Sequence, residues 1–245
     1  MKSPTTPLGE APNVKYYFAY GSNLHMKQMH RRCPNSKYVG FGRLPNFRWQ
    51  INERGFANVV AATGHWVDGL VYEIDDGDEN KLDISEGVSK GAYEKMLMPV
   101  VVRLACCSLY RRPVSWVVAR GGPSEARNKA QHVHWRNRAA GAASSTSVMR
   151  RTSNALVYIS LDHVQDSGPR DEYVGRINRG LRDAVSLGME EDYIRNCIRP
   201  FVPELGMGSS KALCRVQRPA STRNQSPAGS SHKGSGEGSG SGAGR

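Results

Sequence analysis

Val14-Lys15-Tyr16-Tyr17-Phe18-Ala19-Tyr20-Gly21-Ser22-Asn23-Leu24 runs from a stretch of β-formers straight into a Gly-Ser-Asn turn. Residues 14–20 read as a buried strand, and residues 24–32 have modest helical character. A strand that stops in this way can turn successive amide N–H groups, with the Ser22 hydroxyl, onto one anion. Gly21 would help by close approach and positive φ. The spacing alone is equally met by an ordinary strand-to-helix turn.

Working outward, Val39 to Phe47 reads as a strand broken by Gly40, Gly42 and Pro45. Phe56 to Ala62 and Trp66 to Ile74 read as two further strands. Asp75-Asp76 can cap a short helix through about Ser85, with Leu82 facing the core. Strands follow over Tyr93 to Val102 and Asn154 to Ser160. After Gly168-Pro169, the apolar residues Tyr173, Ile177, Leu181 and Ala184/Val185 recur at three- and four-residue spacing, the mark of an amphipathic helix. A last helix opens at Glu190-Glu191-Asp192 and carries Tyr193, Ile194 and Ile198 inward until Pro200 and Pro203 stop it. Several strands with late helices and no βαβ repeat give an α+β domain: a small mixed β-barrel flanked by helices.

The 245 residues, 38% hydrophobic, suffice for one ordinary core. No apolar run approaches the roughly 20 residues that span a bilayer, and residues 1–13 lack the apolar stretch of a secretory leader. A cytoplasmic protein is expected. The formal charge is +12, but its placement weakens a nucleic-acid or membrane reading. Residues 103–152 hold ten Lys and Arg against Glu125, and residues 207–245 hold six against Glu237, so the remainder carries −2. Neither basic segment shows a sustained period or much aromatic interleaving.

The expected organisation is therefore a disordered N-terminus (1–13), a domain over 14–205 interrupted by a disordered basic insertion (103–152), and a disordered Gly/Ser-rich tail (206–245). The insertion reads either as a loop or as coding sequence foreign to the domain, such as an intron read in frame. The five cysteines are odd in number and irregularly spaced, which fits a reducing compartment. His132-x-His134 near Cys106-Cys107 matches no usual metal spacing.

Two later segments carry chemistry. In Ile84-Ser85-Glu86-Gly87-Val88-Ser89-Lys90-Gly91-Ala92-Tyr93, a carboxylate follows a helix in partly apolar surroundings, which raise a carboxyl pKa toward the range proton transfer needs. A Glu before a Gly is also a common solvated turn residue. In Pro169-Arg170-Asp171-Glu172-Tyr173, the tyrosine opens the amphipathic helix, where its ring is most simply core and its hydroxyl can reach a ligand.

Taken in order, YFAYGSNL (17–24), EGVxxGxY (86–93) and PxxEY (169–173) resemble the γ-glutamylcyclotransferase family, over about 14–102 and 154–204. The resemblance implies a barrel with a cavity at one end and a small-molecule γ-glutamyl substrate, with no cofactor, metal, nucleic acid or membrane. It implies that Tyr17, Phe18, Ala19, Tyr20, Gly21, Ser22 and Tyr173 bind substrate and that Glu86 is catalytic. The implied reaction is intramolecular: the α-amine closes on the γ-carbonyl, releasing 5-oxoproline and a free amine. Two readings stay beside it: a relative acting on glutathione conjugates in fungal-type secondary metabolism, and a binding module without catalysis.

Overall fold

The computed structural model describes residues 14–129 and 150–204. The expectations for residues 1–13, for the tail and for His132-x-His134 lie outside the described residues.

Strand β1 (Lys15–Ala19) lies at the centre of the molecule and is followed by a 3-10 turn (Ser22–Leu24) and helix α1 (Met26–Arg32). Strands β2 (Lys37–Ile51) and β3 (Ala57–Ile74) form one long antiparallel hairpin, and α2 (Asp76–Glu86) leads to β4 (Glu94–Leu104). A two-residue strand β5 (Arg112–Pro113), helix α3 (Val114–Val118) and a helical run over 123–129 (α4) come next. Strand β6 (Arg150–Ile159), the long helix α5 (Asp171–Ser186) and a short α6 (Glu191–Tyr193), which passes into a π-helical segment (Ile194–Ile198), complete the described chain.

Five strands close on themselves in the order β3-β1-β6-β4-β2-β3, and β5 is added at the start of β2. Only β1–β6 is parallel, at Tyr17↔Leu156; the other pairings are antiparallel. The expected mixed barrel is present.

The breaks expected in β2, and between the two strands now merged as β3, are bulges. Register shifts fall at Tyr38/Gly40 and Pro45/Phe47, and Asn46 has φ 62°. Residues 62–65 of β3 loop out opposite Asn46, so the hairpin bends without ending. Inside the barrel, Gly42 and Gly69 make room for the Phe18 ring. A Cβ at Gly69 would lie 2.7 Å from Phe18 Cε2 and 2.4 Å from the Ala19 carbonyl oxygen.

The amphipathic helix α5 buries Tyr173, Ile177, Leu181 and Ala184, while Val185 stays exposed. Helix α2 begins where the Asp75 carboxylate accepts the Asp78 amide at 2.8 Å. It ends where Gly87, at φ 68°, adopts the left-handed conformation that a side chain disfavours. That cap makes Glu86 the final helical residue.

The expectation of an unfolded segment from residue 103 onward does not hold for residues 103–129 or 150–152. Leu109, Val114, Val117 and Ala126 are buried. The backbone of this segment follows β2 through Ala105 N–H to Val39 O at 2.9 Å and Val114 N–H to Ser36 O at 2.9 Å. Arg103 and Arg127 donate to the carbonyls of Gly188 and Ser186 at the end of α5, at 2.8 and 2.9 Å. Eight of the ten cations in 103–152 therefore belong to described residues. The period was hidden because the elements here are only two to seven residues long. Residues 130–149 lie outside the described residues.

Because Val114 and Val117 are fully buried, changing both to alanine is expected to lower stability by about 2–4 kcal/mol, from lost transfer energy and residual cavities. Chemical denaturation of the variant against the parent measures it. An unchanged midpoint would mean that α3 is not part of the core.

Candidate active site

The end of β1, the 3-10 turn, the last residue of α1 and the last residue of α2 converge on one cavity of about 220 Å³. Tyr17 and Tyr20 come from β1 and its exit, Gly21, Ser22 and Asn23 from the turn, Arg32 from α1, and Ser85 and Glu86 from α2. Arg54, Phe56 and Ala57 enter from the β2–β3 hairpin, Tyr93 from the approach to β4, Tyr158 from β6, and Tyr173 and Arg176 from α5.

Glu86 is the carboxylate of this cavity, with its side chain 18% exposed. Its Oε1 receives Arg32 at 3.0 Å and, more weakly, Asn23 Nδ2 at 3.4 Å. Loss of water raises its pKa above the ordinary carboxylate value; Arg32 and then Arg176 pull the other way without cancelling the rise. No hydrogen bond to Oε2 occurs among the described residues, so that oxygen is available to the cavity.

A polar network holds the turn. Gln28 Nε2 donates to Ser22 Oγ at 2.7 Å and to Asn23 Oδ1 at 3.0 Å, and Asn23 Nδ2 donates to Tyr17 OH at 2.8 Å. Arg176 joins through Gln28 Oε1 at 3.2 Å and Ser22 Oγ at 3.1 Å. Ser22 Oγ accepts two donors, which leaves its own proton to be donated. The Tyr173 hydroxyl accepts the Ala57 amide at 3.4 Å. Burial, the largest influence, pushes its pKa up to about 12, so it remains a protonated donor near neutral pH.

The glycine at 21 is favoured by close packing rather than by a left-handed backbone. Its φ is −116°, and a Cβ would stand 3.1 Å from Tyr173 OH and 3.3 Å from Ala57 Cβ. The Leu24 and His25 amides close the turn on the Gly21 and Ser22 carbonyls, at 3.0 and 3.2 Å, rather than facing an anion. Positive charge comes instead from side chains: Arg32, Arg176, and Arg54, which donates to Ala92 O at 2.8 Å and lies over the Tyr93 ring. With Glu86 ionised, three guanidiniums face one carboxylate, a cavity suited to an anion.

Of the residues expected to bind substrate, Tyr17, Tyr20, Gly21, Ser22 and Tyr173 line this cavity together with Glu86. Phe18 and Ala19 do not. Both are fully buried, and the Phe18 ring lies against Gly42 and Gly69 in the barrel. Strand alternation puts Phe18 on the face opposite Tyr17; Ala19, on the Tyr17 face, is buried and does not line the cavity. Asn23, Arg32, Arg54, Phe56, Tyr93, Tyr158 and Arg176 were not anticipated. Arg176 had a signal, three residues after Tyr173 on one helix, and Tyr93 closes the EGVxxGxY stretch. Arg32 and Arg54 had none.

The family model for γ-glutamyl cyclotransferase, AIG2-like, matches residues 17–137. That span includes the turn, Arg32, Arg54 and Glu86 but not Tyr173 or Arg176. γ-Glutamylcyclotransferase of Mus musculus is 31% identical over 105 residues, 39% of this chain and 56% of the relative. That of Homo sapiens is 32% identical over 87 residues, 31% of this chain and 46% of the relative. The chain thus spans about half the length of the curated relatives it matches. A solved structure, "Gamma-glutamyl cyclotransferase", superposes with a TM-score of 0.50 at 19% identity, covering 75% of this chain and 85% of that one, a likeness of fold.

Since Arg32 lowers the Glu86 pKa while burial raises it, Arg32→Met is expected to move the Glu86 titration further upward. Carbon-detected NMR titration, with Glu86→Gln to assign the signal, reads the shift. A downward move would show that the pair is not coupled as the geometry requires.

Proposed function

Since residues 17–137 match the AIG2-like γ-glutamyl cyclotransferase family model, we propose that this chain is of that family and that its cavity cyclises a γ-glutamyl compound to 5-oxoproline and a free amine, with Glu86 moving the proton. The observation that carries this reading is that a carboxyl with a raised pKa shares one small cavity with the Gly21–Asn23 turn.

A γ-glutamyl compound holds its nucleophile and its electrophile in one molecule. Curling it into a near-attack conformer supplies much of the rate, because effective molarities for such closures reach ~10⁵ M and above. The Ser22 hydroxyl proton and the Arg176 guanidinium suit the α-carboxylate of the glutamyl group and hold that end.

Glu86 Oε2 takes a proton from the α-ammonium, and the freed amine attacks the γ-carbonyl carbon. The new C–N bond closes a five-membered ring. Cavity donors such as the Tyr173 hydroxyl stabilise the oxyanion that develops. As the original C–N bond breaks, Glu86 returns its proton to the departing nitrogen and takes the second proton of the ring nitrogen, leaving a neutral lactam; that proton passes to the freed amine, which leaves as an ammonium. Arg32 and Asn23 both bind Oε1, so they orient the carboxyl without blocking the oxygen that works.

Glu86→Gln is expected to fold with an intact thermal transition and to lose on the order of 10²–10⁴ in kcat for 5-oxoproline release from γ-glutamyl substrates. Unchanged turnover would remove Glu86 from the reaction.

A further inference from the structure

The basic rim of the cavity continues onto the outer surface of two helices. α1 and α5 are joined by side chains: the Met26 amide at the start of α1 donates to Asp183 Oδ2 at 2.9 Å, and Arg176 Nε donates to Gln28 Oε1 at 3.2 Å, while α5 packs chiefly on the 3-10 turn that precedes α1. Residue 180 is glycine at their junction, where a Cβ would stand 2.9 Å from Leu24 Cβ and 3.1 Å from the His25 amide nitrogen. His25 therefore sits in the seam. Burial, and then the charges of Arg179, Arg31, Lys27 and Arg182, hold its imidazole below the usual histidine range.

Those four side chains are exposed, and none of their cationic groups forms a salt bridge or hydrogen bond among the described residues. Asp183 is the acid in the seam, but it is half-buried, occupied by the Met26 amide, and burial holds its carboxyl above the usual range. A solvated helix surface normally interleaves both signs; the four charges that act on His25 are all cations, and the exposed Glu172 of α5 is paired with Arg176 at 3.5 Å. This surface is also continuous with the cavity. Arg179 lies about one helical turn from Arg176, which lines the cavity, so α5 supplies both a cavity arginine and two of the outer cations.

We infer that the outer faces of α1 and α5 bind the leaving-group side of the substrate, and that this side is an acidic peptide. The inference rests on the cyclotransferase reading of the cavity. The γ-glutamyl group occupies the cavity, and carboxylates further along the peptide lie over Lys27, Arg31, Arg179 and Arg182. The bond that breaks joins the γ-carbonyl to the peptide's terminal nitrogen, and the peptide leaves with a free amine. A peptide is favoured over a nucleic acid because these four residues include no aromatic for base stacking and because the surface leads into the cavity.

The test compares steady-state kinetics of γ-glutamyl-Ala and γ-glutamyl-Asp-Asp-Asp on the full chain and on Arg179→Glu/Arg182→Glu. The acidic substrate is expected to have a KM on the order of tenfold lower, an advantage lost in the double variant and at high salt. γ-Glutamyl-Ala should be handled alike by both proteins, which also shows that the variant folds. Equal KM values for the two substrates, or an advantage that survives charge reversal, overturn the inference and leave the cyclotransferase reading intact. Turnover of neither substrate overturns both. An RNA oligonucleotide that binds this surface where acetyl-Asp-Asp-Asp does not would overturn the inference as well.

Discussion

The Glu86 carboxyl is held between two opposing influences, and the rest of the site is arranged around that balance. Withdrawal from water favours its protonated form, while Arg32 at 3.0 Å and the charge of Arg176 favour the carboxylate. The net shift is upward, so the folded chain keeps this proton more firmly than the unfolded chain does. Its contribution to stability is then lost as pH rises from the ordinary carboxylate range through the raised value. The protein accepts a destabilising group where a proton-transferring group is wanted, as perturbed carboxyls at reactive sites commonly require.

Backbone geometry sets that position. α2 must stop at Glu86, and the left-handed Gly87 makes it stop. The Gly21 turn approaches Tyr173 and Ala57 closely, and a side chain at 21 would crowd both. Between them, Gln28, Asn23 and Ser22 form a network in which each amide group is assigned by its partners. Two helix ends and one turn thus fix the cavity, and the barrel beneath supplies the rigid base.

Much of this was legible in the sequence, and what was not has definite causes. β1, α2 and α5 follow from patterns of two, of 3.6 and of capping, all local signals, whereas Glu86 was singled out by the family resemblance of EGVxxGxY. Phe18 and Ala19 were assigned to the site because a motif is read as a string; alternation turns Phe18 away from Tyr17, and Ala19, on the Tyr17 face, is buried without reaching the cavity. Gly40, Gly42 and Pro45 read as breaks because the chain alone cannot distinguish a bulge from an end. Arg32 and Arg54 reach the cavity from elements remote in sequence, and nothing near them records it. The folded part of the basic insertion was missed because elements of two to seven residues are too short to show a period. With it the picture of charge changes, since most of those cations belong to structured residues.

The most direct test of the account is the pH dependence of kcat/KM for 5-oxoproline release, since that ratio reports groups in the free enzyme. Its acid limb should lie above the ordinary carboxylate range, at the position where Glu86 titrates, and Arg32→Met should carry the limb and the titration upward together. An acid limb that stays in place while Glu86 titration moves would contradict the claim that this carboxyl transfers the proton.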